Sequence, residues 1–425
     1  MRLGHGRGGS SISGATARPA RGQALVVLLA LTTALVITGF TVYELGQRHI
    51  QKRRLINAVD TAAMNAAVWQ ARALNFDAYT NRAIVANEAF IAQSVSLRSW
   101  SQYLDRLLPS VSTSLSWVPY VNTAARSIER LWSSLDRVLQ PSLSAFEGAV
   151  SWVDHDLAAA QRVMHLSVAQ VVPDLVRDSL RVADQRYRLS AGGELTLARW
   201  GVDWIRFASF YGGAWRWRPQ EVVERSLDGF AAERNQRWRP ALGTDLLRLE
   251  KRGGTELIQF ETWRGLDTLS LHTRRYGFFG SMRERQPISW GAAEAGERTG
   301  RRGVHGGTYT TNPRASRLAE RAMRSHRLYL GLPSVYDLSV AQRTEFAPPV
   351  LTVRAVASDS GGTWHAQASS SVMFRRPESR TDGAEETPSL FSPFWSARWV
   401  SAPLSDRVLM AARDGDPVWT AVATP

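Results

Sequence analysis

A single long apolar run dominates the hydropathy pattern near the start of the chain. Residues 24–43 read ALVVLLALTTALVITGFTVY and contain no charged side chain. At about 1.5 Å per residue this run forms a helix about 30 Å long, which matches the hydrocarbon thickness of a bilayer. It exceeds the roughly 7–15 residues of a signal-peptide core, and no small-x-small cleavage pattern follows it. We therefore predict a retained transmembrane helix with the candidate anchor residues Ala24, Leu28, Leu31, Leu35, Phe40 and Tyr43.

An alanine-rich helical pattern follows the predicted span. Its apolar residues recur at alternating spacings of four and three, namely Leu55, Val59, Ala62, Ala66, Trp69, Ala73 and Phe76. Such a heptad seam packs against a helix, and alanine lets that helix approach closely. Two interpretations stay open: packing on helices of this same chain, or an interface with a partner near the membrane, self-association included.

Helical periodicity continues well beyond this seam. It extends along the first helix to Leu108, where Pro109 is expected to end it. A second helical region is predicted from about Val121 to Arg188, with interruptions at Pro141 and Pro173. The apolar face of this second region is predicted to consist of Val150, Val153, Leu157, Ala160 and Met164.

The pattern changes to strand-like alternation after about residue 190. Apolar and polar residues alternate in segments 193–200 (GELTLARW), 256–263 (ELIQFETW) and 267–273 (DTLSLHT), and glycine-rich breaks lie between segments. This pattern indicates strands. Segments 347–358 and 363–374 flank Asp-Ser-Gly-Gly, which predicts a hairpin. The predicted fold class is therefore α+β: one transmembrane helix continues into a long helical region, and a mixed, largely β region follows.

Four segments follow from these patterns. We expect a disordered basic tail over 1–23, the transmembrane helix over 24–43, a helical region over 44–189, and a mixed α/β region over 190–425 with a basic glycine-rich loop near 291–307.

The charge of the chain is concentrated in two places. The 425 residues carry a net charge of +14, which by itself suggests nucleic acid or anionic membrane as a partner. Residues 1–54 hold eight basic residues against Glu44 alone, and residues 263–327 hold thirteen arginines against five acidic residues. The rest of the chain is close to neutral. The absence of cysteine excludes disulfides, zinc fingers, iron–sulfur clusters and thiol nucleophiles.

The second basic segment contains a candidate anion-binding patch. Arg314, Arg317, Arg321 and Arg324 recur at helical spacing and are predicted to form one positive stripe. The stripe is either a solvated face or a surface for lipid headgroups, an acidic partner or nucleic acid. Aromatic residues that suit base stacking lie nearby in the sequence, namely Tyr276, Phe278, Phe279 and Trp290. The membrane anchor argues against nucleic acid as the natural partner.

Few residues point to catalysis. The Asp359-Ser360-Gly361-Gly362 segment is similar to the surroundings of a trypsin-like serine, but the helical regions argue against that architecture and favour a hairpin turn. Asp154 and Asp156 flank His155, yet adjacent helical residues point in different directions and cannot chelate one ion. No phosphate-binding loop, HExxH or EF-hand spacing occurs. We predict no enzymatic activity, no cofactor and no metal, with a periplasmic hydrolase using Ser360 or His155 as an alternative.

The start of the chain resembles TadE/TadG-like proteins of the tight-adherence (Flp) pilus-assembly system, of the TadG-like type. The matching positions cover about the first 70 residues: Arg21 and Gly22 before the span, then Lys52, Arg53, Arg54, Leu55, Asn57, Asp60, Ala62, Ala63 and Ala66. The resemblance implies a bacterial inner-membrane protein with a single span, a cytoplasmic N-terminus and its bulk in the periplasm. It further implies a non-enzymatic scaffold or accessory role in pilus assembly, with the bilayer and other pilus-assembly or envelope proteins as partners.

Two departures from related patterns refine this expectation. A processed pilin has glutamate at the fifth mature residue, but counting from Gly22 that position is Val27, which favours a permanent anchor. Some longer TadG-like proteins carry an Asp-x-Ser-x-Ser metal motif, whereas Asp337-Leu-Ser339-Val-Ala341 lacks the second hydroxyl. An envelope module that binds nucleic acid or anions through 263–327 stays the main alternative function.

Overall fold

Two long helices form the first half of the molecule. The computed structural model describes residues 23–114, 121–212, 217–239, 247–274, 283–297, 305–359 and 362–416. Helix α1 spans Gln23–Ser114 and helix α2 spans Val121–Ala183. With 92 residues, α1 is about 138 Å long at the usual helical rise.

Polar contacts fix the antiparallel pairing of these two helices. Asn65 in the first half of α1 donates to Ser179 near the end of α2, at 3.4 Å. Ser101, much farther along α1, donates to Asp136 near the start of α2, at 2.5 Å. Because α2 therefore ends opposite the residues just before Asn65, roughly the first third of α1 extends beyond its partner helix.

In the described part of the chain the remaining helices are shorter, and eleven strands accompany them. The helices are α3 (Ala191–Phe207), α4 (Trp217–Arg225), α5 (Gly229–Ala232), α6 (Thr308–Thr311), α7 (Pro313–Arg321), α8 (Val340–Thr344) and α9 (Leu404–Asp414). The strands in the described residues are β1 (Arg188–Leu189), β2 (Ala208–Tyr211), β3 (Gln236–Trp238), β4 (Leu247–Ile258), β5 (Thr262–Thr273), β6 (Arg283–Gly296), β7 (Arg324–His326), β8 (Val335–Leu338), β9 (Val350–Asp359), β10 (Gly362–Phe374) and β11 (Trp395–Trp399).

The strands form three sheets. One has the order β1-β9-β10-β11, a second has the order β3-β4-β5-β6-β7, and a two-stranded sheet joins β2 to β8. Neighbouring strands are antiparallel except for the β6/β7 pair, which is parallel. Both larger sheets pack against α1, and α2 packs against other sides of α1, so α1 runs through the middle of the molecule.

Two hydrophobic cores lie at successive levels along α1. The first joins α1 residues 55–74 to the C-terminal part of α2, to α3 and to the four-stranded sheet. The second joins Ile91, Ala92 and Val95 of α1 to the five-stranded sheet and to Val223 of α4. Since one continuous helix contributes to both cores, the two sheets are held in a fixed order along it.

Several sequence predictions are confirmed by these elements. The α+β fold class is correct, with a long N-terminal helix and a largely β C-terminal region. Segments 347–358 and 363–374 lie mostly in β9 and β10, which pair antiparallel from Gly362 opposite Asp359, while Ser360 and Gly361 lie outside the described residues. Segment 267–273 lies in β5. Segment 256–263 is divided between β4 and β5 by a turn at Gln259 and Phe260.

The prediction of a strand over residues 193–200 is wrong, because these residues belong to α3. Ser190 caps this helix by accepting a hydrogen bond from the Gly193 amide at 3.0 Å. Buried side chains then recur at spacings of three, four and three, namely Leu197, Trp200, Trp204 and Phe207. This helical spacing outweighs the short alternation that resembled a strand.

The predicted proline breaks are also wrong. Helix α1 continues through Pro109, and α2 continues through Pro141 and Pro173. A proline inside a helix costs about 3 kcal/mol through a lost hydrogen bond and a steric clash. Buried side chains on both sides of each α2 proline hold the helix in place, for example Gln140 and Glu147 around Pro141.

Part of the predicted glycine-rich loop near 291–307 is a strand. Residues 291–296 belong to β6, whereas residues 298–304 lie outside the described part of the chain. A Cβ atom at Gly291 would lie 2.1 Å from the Ser99 carbonyl oxygen and 2.6 Å from the Tyr103 nitrogen. Glycine is thus required at this position by the close approach of α1 to the sheet, not by loop mobility.

Candidate functional site

The apolar start of α1 is a candidate membrane span. The anchor residues predicted from sequence are all exposed, and most of their surface is accessible: Ala24, Leu28, Leu31, Leu35, Phe40 and Tyr43. Four threonine hydroxyls in this stretch donate to carbonyl oxygens three or four residues earlier, as Thr33 does to Leu29 at 2.7 Å. Their polar groups are therefore satisfied within the helix, as a lipid environment requires. Within the described residues, this is the one helix long and apolar enough to cross a membrane.

The span continues without a break into the first core. Arg53 and Arg54 are exposed, and the next residue, Leu55, is 1% exposed. Between Tyr43 and Leu55 the chain stays helical, which separates the end of the apolar run from the core by about 18 Å. This continuous helical connection fixes the height and direction of the folded region relative to the apolar run.

The family-motif residues after the span divide into exposed basic and buried apolar positions. Leu55, Ala62, Ala63 and Ala66 are buried in the first core, where Val168, Val172, Val176 and Leu180 of α2 also lie. The Ser370 hydroxyl of β10 donates to the Ala63 carbonyl at 2.6 Å. Asp60 is half-buried, and desolvation raises the pKa of its carboxyl. The buried positions of the alanine-rich seam thus pack against this chain's own elements.

The helix pair itself is joined by a polar interface. The inward face of α2 carries buried polar residues spaced by four and then seven: Asp136, Gln140, Glu147, Asp154 and Gln161. The face predicted from sequence lies elsewhere, since Val153 and Ala160 are exposed and Val150, Leu157 and Met164 are half-buried. The regular spacing of these polar residues is present in the sequence, but the rule that apolar side chains pack inward selects the other face of the helix.

A buried acidic cluster lies within this interface. The Glu88 carboxylate accepts hydrogen bonds from Trp263 Nε1 at 2.7 Å and from the Tyr329 hydroxyl at 2.8 Å. Asp154 accepts from Asn87 at 2.6 Å. Desolvation raises the pKa of Glu88 to about 7 and that of Asp154 to about 8, and the pKa of Asp154 is raised further by Glu88. Both groups are enclosed by helices and strands, so the cluster is structural.

The predicted arginine stripe is only partly formed. Arg314, Arg317 and Arg321 lie on α7 and are exposed. Arg324 lies beyond the helix, at the start of β7, and pairs with Asp136 of α2 at 3.2 Å. Helix α7 ends at Arg321, so the helical spacing does not extend to Arg324, and the stripe has three members.

A basic cleft adjoins the start of α7. Its volume is about 470 Å³, and its lining includes Arg248, His272, Arg283, Arg314 and Arg317. The Glu284 carboxylate of β6 also lines it and accepts from the backbone amides of Arg314 and Ala315 at 2.6 and 3.2 Å. A carboxylate of the chain therefore already satisfies the first turn of α7. Sequence reasoning missed Arg248 and His272 because the cleft joins β4, β5, β6 and α7.

Two of its lining side chains are already engaged. Arg248 pairs with Glu250 at 2.7 Å, and the buried His272 ring bonds Asn312 through Nε2 at 2.8 Å. The exposed positive charges at the mouth are those of Arg283, Arg314 and Arg317. These three guanidinium groups could attract an anion, while Glu284 opposes its approach to the helix start.

The two histidines of α2 and Asp337 are each engaged in local contacts of the fold. His155 Nδ1 lies 2.9 Å from the Ser151 carbonyl oxygen, whereas the buried His165 ring stacks on Trp204 and Tyr336. Asp337 is buried and pairs with Arg218 at 2.6 Å. No group of three or more possible metal ligands occurs among the described residues. Ser360, Tyr276, Phe278 and Phe279 lie outside them.

A comparison with protein-family models, with curated proteins and with solved structures found no match for this chain.

Proposed function

We propose that this chain is a non-enzymatic, single-pass membrane protein that serves as a scaffold or accessory protein in tight-adherence pilus assembly. In this proposal the N-terminus is cytoplasmic, the span crosses a bacterial inner membrane, and the folded bulk lies in the periplasm. The observation that supports it most is the continuity of α1. The N-terminal part of this helix is the apolar stretch, and its later residues belong to both cores. The residues from Arg21 to Ala66 supply the resemblance to TadG-like proteins.

The mechanism proposed for such a scaffold is mechanical. Because α1 passes from the anchor through both cores, a force on either sheet reaches the membrane through one helix and not through a flexible linker. The structure would thus hold its distal surfaces at a set distance above the membrane.

Deletion and complementation test the assembly role. Cells lacking the gene should lose tight-adherence pili, and a full-length copy should restore them. A matched copy whose residues 24–43 are replaced by an unrelated apolar span should also restore piliation, since only anchoring is required of that segment. A copy released into the periplasm behind a cleavable signal should fail. Normal piliation in the deletion strain would refute the proposal.

Orientation has a separate test that uses the absence of cysteine. A membrane-impermeant maleimide should label Arg137→Cys, an exposed position on α2, once the outer membrane is permeabilised. Ser10→Cys, in the predicted cytoplasmic tail, should be labelled only after the inner membrane is broken. The reverse pattern would show that the folded region is cytoplasmic.

Anion binding at the basic cleft is the second candidate function. The observation that favours it is the exposure of Arg283, Arg314 and Arg317 around a cleft of about 470 Å³. Labelled single-stranded DNA should then bind the full chain in detergent with an affinity that falls as salt rises. The double variant Arg283→Gln/Arg317→Gln should weaken this binding, whereas Arg181→Gln, an exposed arginine on α2, should not. No binding at low salt would end this candidate.

A further inference from the structure

The outer face of α2 is apolar and uncovered. Exposed positions recur on it at alternating spacings of three and four from Ile128 to Gln170. We define the outer face of α2 by its seven large apolar members, which are between 52% and 70% exposed: Ile128, Leu131, Leu135, Val138, Trp152, Val163 and Leu166. No described residue covers them. Large apolar residues occupy seven of the thirteen positions in this repeat, whose spacing is that of a coiled-coil seam, and the other six positions are small or polar.

Between Asp136 and Gln161 the polarity of α2 is inverted relative to an ordinary surface helix, whereas Val168, Val172, Val176 and Leu180 pack inward in the usual way. A surface helix of a soluble domain turns its apolar stripe inward and its polar side chains toward water. Here the buried side carries Glu147, Asp154 and Gln161, and the exposed side carries leucine, valine and tryptophan. Scattered exposed apolar residues are normal, but large apolar residues that repeat along one face of a helix mark an interaction surface.

Neighbouring elements extend this strip. Phe146 of α2 packs edge-on against Phe90 of α1, with ring centroids 5.0 Å apart, and both residues are exposed. On the other side, Leu328 and Leu330 are exposed beside α2, with the Leu330 amide bonded to Ser151 at 3.0 Å. The strip is therefore wider than the helix alone, and its position is fixed by contacts to the rest of the fold.

We infer that the outer face of α2 pairs two copies of this chain, in parallel and in register. From Ile128 to Leu166 the strip is about 57 Å long and about 10 Å wide, given helical rise and diameter. Two such strips would bury roughly 1,100 Å² in total, which exceeds the ~1,000 Å² expected of a specific interface. The pairing needs no rearrangement, because the seam is already exposed on a helix held by the fold.

Orientation favours a second copy over an unrelated helix. Two chains anchored by α1 in one membrane have the same orientation and lie at the same height. Each residue of α2 in one copy therefore faces the same residue in the other copy. Equal residues also match in size. The leucine-rich layers lie toward the start of α2, whereas Ser142, Ala145 and Ala149 form a stretch of small exposed residues in the middle. In-register pairing sets small side chains against small ones, and a shifted register would not.

Asp156 adds a test of register. It is exposed in the same seam, at a position that faces its own equivalent in a parallel, in-register pair. A polar residue at one such position costs stability while selecting the register. Replacing the two facing carboxylates by amides in Asp156→Asn removes their mutual repulsion, so this variant should dimerise more.

The experiment is cysteine cross-linking of the full chain in native membranes, where the absence of cysteine gives a clean background. Leu135→Cys and Val138→Cys place thiols in the seam. Arg137→Cys is the control, because it places a thiol at an exposed position about 130° around the helix axis from the midpoint of these two seam positions. Under mild oxidation, with two epitope tags to identify the pair, the seam variants should form at least fivefold more disulfide dimer than Arg137→Cys. Adding Asp156→Asn to Val138→Cys should raise the yield.

Three outcomes would overturn the inference. The first is an equal dimer yield at the seam and control positions, and the second is cross-linking of the seam thiols to a different protein. The third is a disulfide between Leu131→Cys in one tagged copy and Leu166→Cys in the other, because that bond requires an antiparallel pair. The inference depends on the proposed function only for anchoring. Loss of the pilus role would therefore leave the cross-linking result unchanged, and loss of the cross-link would leave the piliation result unchanged.

Discussion

The Arg98 guanidinium donates to the Glu147 carboxylate at 2.8 Å, and both side chains are buried between α1 and α2. Glu147 also accepts from Ser94 at 2.6 Å and contacts His326 of β7. Arg98 reaches the Glu294 and Arg324 carbonyl oxygens at 3.3 Å. One ion pair therefore connects both long helices to the five-stranded sheet.

Removal of one partner should be costly. Glu147→Ala leaves the Arg98 charge buried and unpaired, and we expect a loss of about 3–5 kcal/mol in the free energy of unfolding. Urea denaturation of the full chain in detergent, followed by tryptophan fluorescence, measures it. The control is Asp178→Ala, which breaks an exposed ion pair with Arg181 and should cost less than about 1 kcal/mol. Equal losses in the two variants would contradict a structural role for the buried pair.

Stability should fall as the pH rises from about 4 to about 8. Burial raises the pKa of Glu88 to about 7 and that of Asp154 to about 8, so the folded chain retains protons that the unfolded chain releases. In this window the unfolded state binds fewer protons, and the free energy of unfolding decreases with pH. Glu88 alone accounts for at most about 3 kcal/mol of this decrease.

Neutral variants should flatten this dependence. Glu88→Gln keeps an oxygen that can accept from Trp263 and Tyr329 but cannot ionise. The difference in unfolding free energy between pH 5 and pH 8 should shrink in this variant and shrink further with Asp154→Asn. An unchanged pH dependence in the double variant would show that other groups govern it.

The sequence predicted the elements better than their packing. The span, the long helices and the β9/β10 hairpin have local signals: an uncharged run, heptad spacing, and Asp-Ser-Gly-Gly between alternating segments. The orientation of α2 was not predicted, although its buried polar residues recur at regular spacing, because the rule that apolar faces pack inward fails where Glu147 and Asp154 find partners on β7 and α1. The basic cleft joins residues distant in the chain, such as Arg248 and Arg314, so only the folded chain reveals it.

The close approach of α1 to β6 gives a packing test. Gly291→Ala adds a Cβ atom within 2.1 Å of the Ser99 carbonyl oxygen and should destabilise the fold by more than about 1–3 kcal/mol, the usual cost of overpacking. Gly201→Ala is the matched control, because nothing lies within 4 Å of its Cβ position in α3. That change should stabilise the fold by roughly 0.5–1 kcal/mol through helix propensity. Thermal unfolding of both variants separates the two effects by sign.

A charge in the candidate span tests anchoring with a matched position on the same helix. The run from Ala24 to Tyr43 contains eleven leucine, isoleucine, valine or phenylalanine residues, each favouring insertion by about 0.3–0.6 kcal/mol, while an arginine near the centre costs about 2.5–3.5 kcal/mol. Leu35→Arg therefore removes a large share of the insertion energy and should shift the chain from the carbonate-resistant membrane fraction toward the extractable one. Tyr79→Arg changes another exposed residue of α1, 63% accessible against 72% for Leu35 and 36 positions beyond Tyr43, and should leave the fractionation unchanged. The contradicting outcome is that carbonate extracts the natural chain and that both variants fractionate as it does. In that case residues 24–43 do not anchor the chain.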